Sequence, residues 1–144
     1  MNDIIKWSQQ EADKLLKDLP IRLKHVKGVV KQAYRVGQIF NENEKNILIE
    51  TAYLHDIGYA VSLNKTGFHP LDGAVFIKNN GLDRVASLVA YHTGALFEAR
   101  LRNLEDELVK FEKEDSLLAD ALNYCDMTTS STGELITFEE RING

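Results

Sequence analysis

The chain has 144 residues, which one domain of about 100–200 residues accounts for, and its 27% charged and 44% hydrophobic content describes a folded globular protein, not a disordered one. Its 17 basic against 22 acidic residues leave a net charge of −5, which argues against binding a nucleic-acid polymer through bulk positive charge. The single cysteine, Cys125, excludes an intrachain disulfide and a thiolate-rich zinc site.

The first predicted helix carries Ile4, Ile5, Ala12, Leu15, Leu16 and Leu19 on one stripe and ends at Pro20. A second places His25, Val29, Ala33, Val36 and Phe40 three or four residues apart on one face. A third is expected to open near Asn43 or Glu44 and run to Asp56, with Gly58 ending it as a left-handed residue. Residues 59–67 read as loop. The His69-Pro70-Leu71-Asp72 segment reads as a helix start, with Pro70 at the first position and Asp72 near the positive end of the dipole, and Gly81 closes that helix. Asp83 is the expected cap of the next, through Val85, Leu88, Val89 and His92. Residues 95–114 are helical in pattern but strongly charged, as in a surface segment or two short helices. Asp115 or Ser116 caps a last clear helix through Leu118, Leu122 and Asp126, residues 128–132 read as loop, and Phe138 to Ile142 is charged and helical in pattern. Leu135 to Phe138 is too short to make a sheet alone. The expected fold is therefore all-α, a single-domain helical bundle over residues 1–144 with about six or seven helices.

Polar residues sit on the apolar faces of these helices. His25 lies four before Val29; His55 follows Leu48, Thr51 and Ala52; Asp56 aligns with Ile49 and Ala52; His92 continues the Val85, Leu88, Val89 face; Asp126 stands four after Leu122. Any one inward histidine, taken alone, reads as a hydrogen-bonded core residue. All four histidines lie on inward faces or helix starts, and inward carboxylates accompany them. A buried carboxylate without a partner is expensive, so a divalent ion satisfies the set at once. Imidazole together with carboxylate suits Fe, Mn, Zn, Co or Ni. His55 and Asp56 are about 100° apart around a helix, so they share an ion only near the helix end.

This pattern resembles the HD-domain superfamily of metal-dependent phosphohydrolases, in which a His is followed by an adjacent His-Asp pair ending a helix and then by a distant Asp. His25, the pair in Ala-Tyr-Leu-His55-Asp56-Ile-Gly-Tyr and Asp126 in Asn-Tyr-Cys-Asp-Met-Thr-Thr match in order and spacing, over roughly residues 20–135. The resemblance implies an HD-type bundle and metal ligands at His25, His55, Asp56 and Asp126. Members with an extended site carry two further histidines, matched here by His69 in Gly-Phe-His-Pro-Leu-Asp-Gly-Ala and His92 in Ala-Tyr-His-Thr-Gly-Ala. These imply either a second metal bridged by Asp56 or, with one metal, imidazoles that bind phosphate or protonate a leaving group. The His-Thr-Gly segment is similar to that of the iron-dependent branch that hydrolyses symmetrical dinucleoside tetraphosphates. The cyclic-di-GMP branch is disfavoured because Thr93 follows His92, and the guanosine-tetraphosphate branch because Gly58-Tyr59-Ala60 stands where it has a Glu-Asp pair.

Many relatives place a Lys just beyond the His-Asp-Ile-Gly stretch, where this chain has Tyr59, so Lys65, Arg22 and Arg100 are the candidate phosphate-binding cations. The function implied is hydrolysis of a phosphate ester or anhydride of a small, nucleotide-type substrate by metal-activated water, with Asp56, His69 and His92 as catalytic residues and one or two divalent ions as cofactor. A catalytically silent metal- or nucleotide-binding regulatory domain is the alternative, and a purely structural helical module a third. The expected partners are a small phosphorylated substrate and, as one option, a second copy of the chain, with no nucleic-acid polymer. Residues 1–7 hold no positively charged leader followed by an apolar stretch, and no run approaches the roughly 18 apolar residues of a membrane span, so no membrane partner and a cytoplasmic location are expected.

Overall fold

A computed structural model describes residues 2–143. Six helices of eight residues or more carry the architecture: α1 (Asp3–Leu15), α2 (Pro20–Val36), α3 (Glu42–Leu54), α4 (His69–Asn79), α5 (Asp83–Ala90) and, after two short segments, α8 (Leu117–Met127). The short ones are α6 (Ala95–Leu101) and α7 (Glu105–Leu108), with α9 (Phe138–Asn143) last, so nine helices stand among the described residues where six or seven were expected. There is no strand among them, only an isolated bridge between Thr129 and Leu135. No helix is long and apolar enough to cross a membrane.

Local chemistry sets most boundaries. Asn2 caps α1 by accepting from the Ile5 N–H at 2.7 Å, and Pro20 opens α2, where its missing N–H costs nothing. Helix α3 begins at Glu42, earlier than expected, because the side chain of Asn41 is the cap and accepts from the Glu44 N–H at 2.9 Å. Ser116 caps α8 by accepting from Ala119. Asp83 is the first residue of α5 and Leu82 holds the cap position. Gly81, at φ +85°, ends the α4 turn in the left-handed conformation that favours glycine.

Gly58 has a different role from the one expected. It lies in a 3-10 turn, Ile57–Tyr59, that follows α3. A Cβ there would collide with the carbonyl of His69, so glycine is required by close backbone approach, not by a left-handed φ. Asp72 also differs. Its buried carboxylate accepts from the backbone N–H groups of Lys65, Thr66 and Gly67 at 3.1–3.2 Å and from the Thr66 hydroxyl at 2.9 Å, tying the loop before α4 to that helix.

Helix α3 is the centre. Residues 48–54 are all buried, as expected of a helix enclosed on every side, and α1, α2, α5 and α8 pack against it. Leu48, Ile49, Leu54 and Ile57 join Val26 and Val29 of α2, Val89 of α5 and Leu122 of α8 in one continuous core. Each such side chain, fully buried, contributes about 1.5–3 kcal/mol. The bundle thus brings the C-terminal end of α3 against the middle of α2, the start of α4 and the ends of α5 and α8.

Candidate metal centre

Those element ends deliver the polar residues. His25 comes from α2, His55 and Asp56 from just past α3, which ends at Leu54 and not at Asp56 as expected, His69 from the first residue of α4, His92 from just past α5, and Asp126 from the last turn of α8. All are nearly inaccessible except His69, whose side chain is 19% exposed.

Three imidazoles are oriented by the backbone. Nδ1 of His25 lies 2.8 Å from the Ser130 carbonyl, Nδ1 of His55 2.7 Å from that of Ala52, and Nδ1 of His92 2.6 Å from that of Val89. A carbonyl only accepts, so each Nδ1 carries a proton and donates, which leaves Nε2 turned into the site, open to a second proton or to a metal ion. His69 is oriented by stacking, its ring 4.0 Å from that of Tyr59.

The Nε2 atoms converge on Asp56 from two sides. Oδ2 of Asp56 lies 3.3 Å from His55 Nε2 and 3.7 Å from His25 Nε2, while Oδ1 lies 3.3 Å from His69 Nε2 and 3.8 Å from His92 Nε2. In each set, His25–His55–Asp56 and Asp56–His69–His92, the ligand atoms all fall within 4.8 Å of one another. Asp126 completes the inner set, its Oδ1 standing 2.9 Å from His25 Nε2 and 3.7 Å from His55 Nε2.

The two carboxylates and the imidazoles of this cluster shift one another's ionisation. Burial raises the Asp56 pKa, but the charge and hydrogen bonds of the imidazoles, His55 first, lower it more and hold the carboxyl well below its usual range. Asp126 is likewise held far below that range, burial being outweighed by hydrogen bonds to His25 and His55. For His55, burial lowers the pKa and the negative charges of Asp56 and Asp126 raise it further, so the imidazole stays protonated well above 6.5. A proton on His55 thus stands where a metal ion would. His55 Nε2 is nevertheless the buried side-chain nitrogen or oxygen that has no hydrogen bond among the described residues, and an orphaned inward nitrogen in a mixed imidazole–carboxylate set fits a divalent transition ion. His69 differs in sign, since burial lowers its pKa and Asp56 opposes this only in part.

The cluster forms the floor of a cavity of about 180 Å³ open to solvent, walled by Arg22, Tyr59, Thr93 and Arg141. A protein-family model described as HD domain matches residues 22–128, more than half of the chain. The chain belongs to the HD-domain family. HD domains bind divalent metals and are, as a class, metal-dependent phosphohydrolases. Comparison with curated proteins gave no significant match, and comparison with solved structures gave none.

In this HD domain the three expected cations are placed unequally. Arg22, one turn before His25, lines the cavity, with Nη1 3.2 Å from Asp56 Oδ2 and its guanidinium 4.1 Å above the Tyr59 ring. Lys65 and Arg100 do not line it, which corrects that expectation. Lys65 is exposed on the loop whose backbone Asp72 fixes. Arg100 is on the outward side of α6, whose buried residues are Ala95 and Ala99, and it pairs with Glu105 at 2.7 Å.

Two residues of the site were not predicted. Arg141 of α9 donates from Nη1 to the carbonyls of Asp126 at 2.6 Å and Thr129 at 2.8 Å, closing the cavity from the C-terminal side. Its only sequence signal is a lone arginine in the charged segment after the motif. Thr93 donates its hydroxyl to Asp126 Oδ2 at 2.8 Å while its N–H is held by Asn123 at 2.9 Å. Its φ of +43° is an outlier for a β-branched residue, a strain that the two partners maintain and that aims the hydroxyl at the inner set. Cys125, next to Asp126, is buried with its thiol pushed up to about 12 by desolvation, so it is a packing residue and not a nucleophile.

Proposed function

We propose that this chain is a metal-dependent phosphohydrolase that cleaves a phosphate ester or anhydride of a small, nucleotide-type substrate. His25, His55, Asp56 and Asp126 would hold one divalent ion, and Asp56, His69 and His92 a second. The observation that carries this reading is the division of the Asp56 carboxylate, one oxygen facing each pair of imidazoles. A structural histidine cluster has no need of that arrangement; a bridging carboxylate does.

A divalent ion bound there supplies Lewis-acid chemistry, polarising a phosphoryl oxygen and lowering the pKa of water toward neutrality. The chain's own groups do the rest. Arg22 and Arg141, on opposite sides of the cavity, present positive charge to the remaining phosphoryl oxygens. Asp56, ionised and next to the ion it would help to hold, is the group that would accept a proton from the attacking water. His69, whose pKa burial depresses, offers its Nε2 as a ligand or acceptor, and with only one ion bound His69 and His92 would instead face the phosphoryl oxygens or the leaving group. Thr93 holds Asp126 in place. The His92-Thr93-Gly94 likeness to the dinucleoside-tetraphosphate branch favours a nucleotide. The reading includes residues 1–144 acting as one domain in the cytoplasm, with the phosphorylated substrate as partner.

The second reading, a regulatory domain that binds metal or nucleotide without turnover, is favoured by one contact: Arg22 pairs with the bridging carboxylate beside Tyr59, where many relatives carry Lys. Elemental analysis followed by a panel of phosphomonoesters, nucleotides and dinucleoside polyphosphates decides. Phosphate release dependent on Fe, Mn, Zn, Co or Ni is expected; binding without release under every metal supports the regulatory reading, and absence of metal together with indifference to chelator rejects both.

A further inference from the structure

The cavity over the metal ligands has a neighbour. Arg22 and Tyr59 line both it and a second, larger cavity of about 420 Å³, bounded by Asp18, Leu19, Pro20 and Ile21 at the α1–α2 turn and by Ser131 opposite. Pockets that enclose an organic molecule run to roughly 300–1,000 Å³. The inner cavity, at about 180 Å³, is too small for that and admits the phosphoryl end alone; the outer one is within the range.

Resting on the proposed phosphohydrolase reading, the geometry points to the outer cavity as the leaving-group subsite, taking the nucleoside portion of the substrate. Three features select that chemistry. Leu19, Pro20 and Ile21 form an apolar wall, and Ile21 keeps 54% of its surface in solvent, open to cover by a planar ring. Exposed isoleucines are ordinary singly; this one lines a cavity that shares Arg22 and Tyr59 with the inner one. Asp18 places a carboxylate in the same cavity, which repels a second phosphate and accepts from ribose hydroxyls or a base amino group, and the Ser131 hydroxyl adds a donor. Tyr59 is not the stacking surface for the base, because both of its faces are occupied, by His69 at 4.0 Å and by Arg22 at 4.1 Å. The stack is instead the partition between cavities, and it sets Arg22 where the phosphate ester joins the nucleoside. Tyr59 is therefore a positioning residue, and Ile21 the specificity residue.

The test uses the full chain, AMP, glycerol 3-phosphate and adenosine. Ile21→Gln removes the apolar wall and Ser131→Tyr fills the cavity; both positions are exposed and lie outside the ligand set. Each variant is expected to lower the ratio of kcat/KM for AMP to that for glycerol 3-phosphate about tenfold, the scale on which one apolar contact discriminates, through KM for AMP. In parallel, adenosine added to the metal-free protein is expected to shift the amide NMR signals of Ile21, Tyr59 and Ser131, and not to do so in Ser131→Tyr. A ratio unchanged in both variants of an active enzyme overturns the subsite while leaving the hydrolase reading intact. If the wild type releases phosphate from neither ester under any metal, that reading fails, and the adenosine shifts alone uphold or overturn the subsite.

Discussion

The two halves of the cluster share Asp56 and differ in how they are held. The inner half, His25, His55 and Asp126, is buried to within a few per cent, and both of its imidazoles are fixed by hydrogen bonds to backbone carbonyls. In the outer half, His92 has such an anchor, but His69 is partly exposed and depends on an aromatic stack whose other face is a mobile-length arginine. A carbonyl is held by the chain on both sides of it; a stacked side chain is not. Under the two-ion reading, the inner position would hold its ion more firmly than the outer one.

The sharpest way to break this contrast is a pair of substitutions. His55→Ala is expected to lower retained inner metal and hydrolysis by at least about 100-fold, the upper end of what losing a mere supporting partner costs, whereas His69→Ala should keep one ion per chain and lose about 10–100-fold in rate. Elemental analysis after gel filtration reads both. Loss of all metal in His69→Ala would erase the distinction.

Acidity separates the halves next. His55 has a folded pKa raised above 6.5, so in the metal-free protein its contribution to stability is complete below 6.5 and is lost as pH rises through the raised value. Asp56 and Asp126, with pKa values depressed below 3.8, contribute above 3.8 and lose that contribution only in strong acid. Metal-free protein is therefore most stable between those two values and weakens toward alkaline pH, while a bound ion, which needs neutral imidazole, stabilises increasingly there. Melting curves with and without chelator should diverge as pH rises; parallel curves would mean that no cation belongs beside His55.

Smaller effects test the scaffold. Gly58→Ala, which forces a methyl group onto the His69 carbonyl, should cost about 1–3 kcal/mol in a thermal or urea melt and shift the outer half before the inner. Arg84, which joins Glu44 at 2.6 Å and Glu114 at 2.9 Å on a largely solvated surface, should cost at most about 1 kcal/mol on replacement by Ala. An Arg84→Ala penalty exceeding that of Gly58→Ala would contradict the view that the metal end, not the rim, carries the constraint.

What could be read without coordinates was whatever periodicity encodes. The inward faces of α2, α3, α5 and α8 follow from spacing, and with them the burial of His25, His55, His92 and Asp126. The cap of α8 was legible to within one residue, Asp115 or Ser116, and it is Ser116 that accepts from the Ala119 N–H. Where a long side chain reaches was not. Lys65, Arg22 and Arg100 are alike in sequence, and only the packing of their elements separates Arg22 from the others; Arg141 enters from a segment fifteen residues beyond Asp126. Gly58 and Asp72 illustrate the same limit, since local rules assign them to a helix end and a helix dipole while long-range backbone contacts determine what they do.

The Asp72 clip has a practical corollary. By seizing the N–H groups of residues 65–67, it insulates His69 from whatever happens at the tip formed by residues 61–64, where Val61 is 87% exposed. That tip is a natural insertion point for an affinity tag or fluorophore, since added length there would dangle in solvent while the clamp keeps the start of α4 in register.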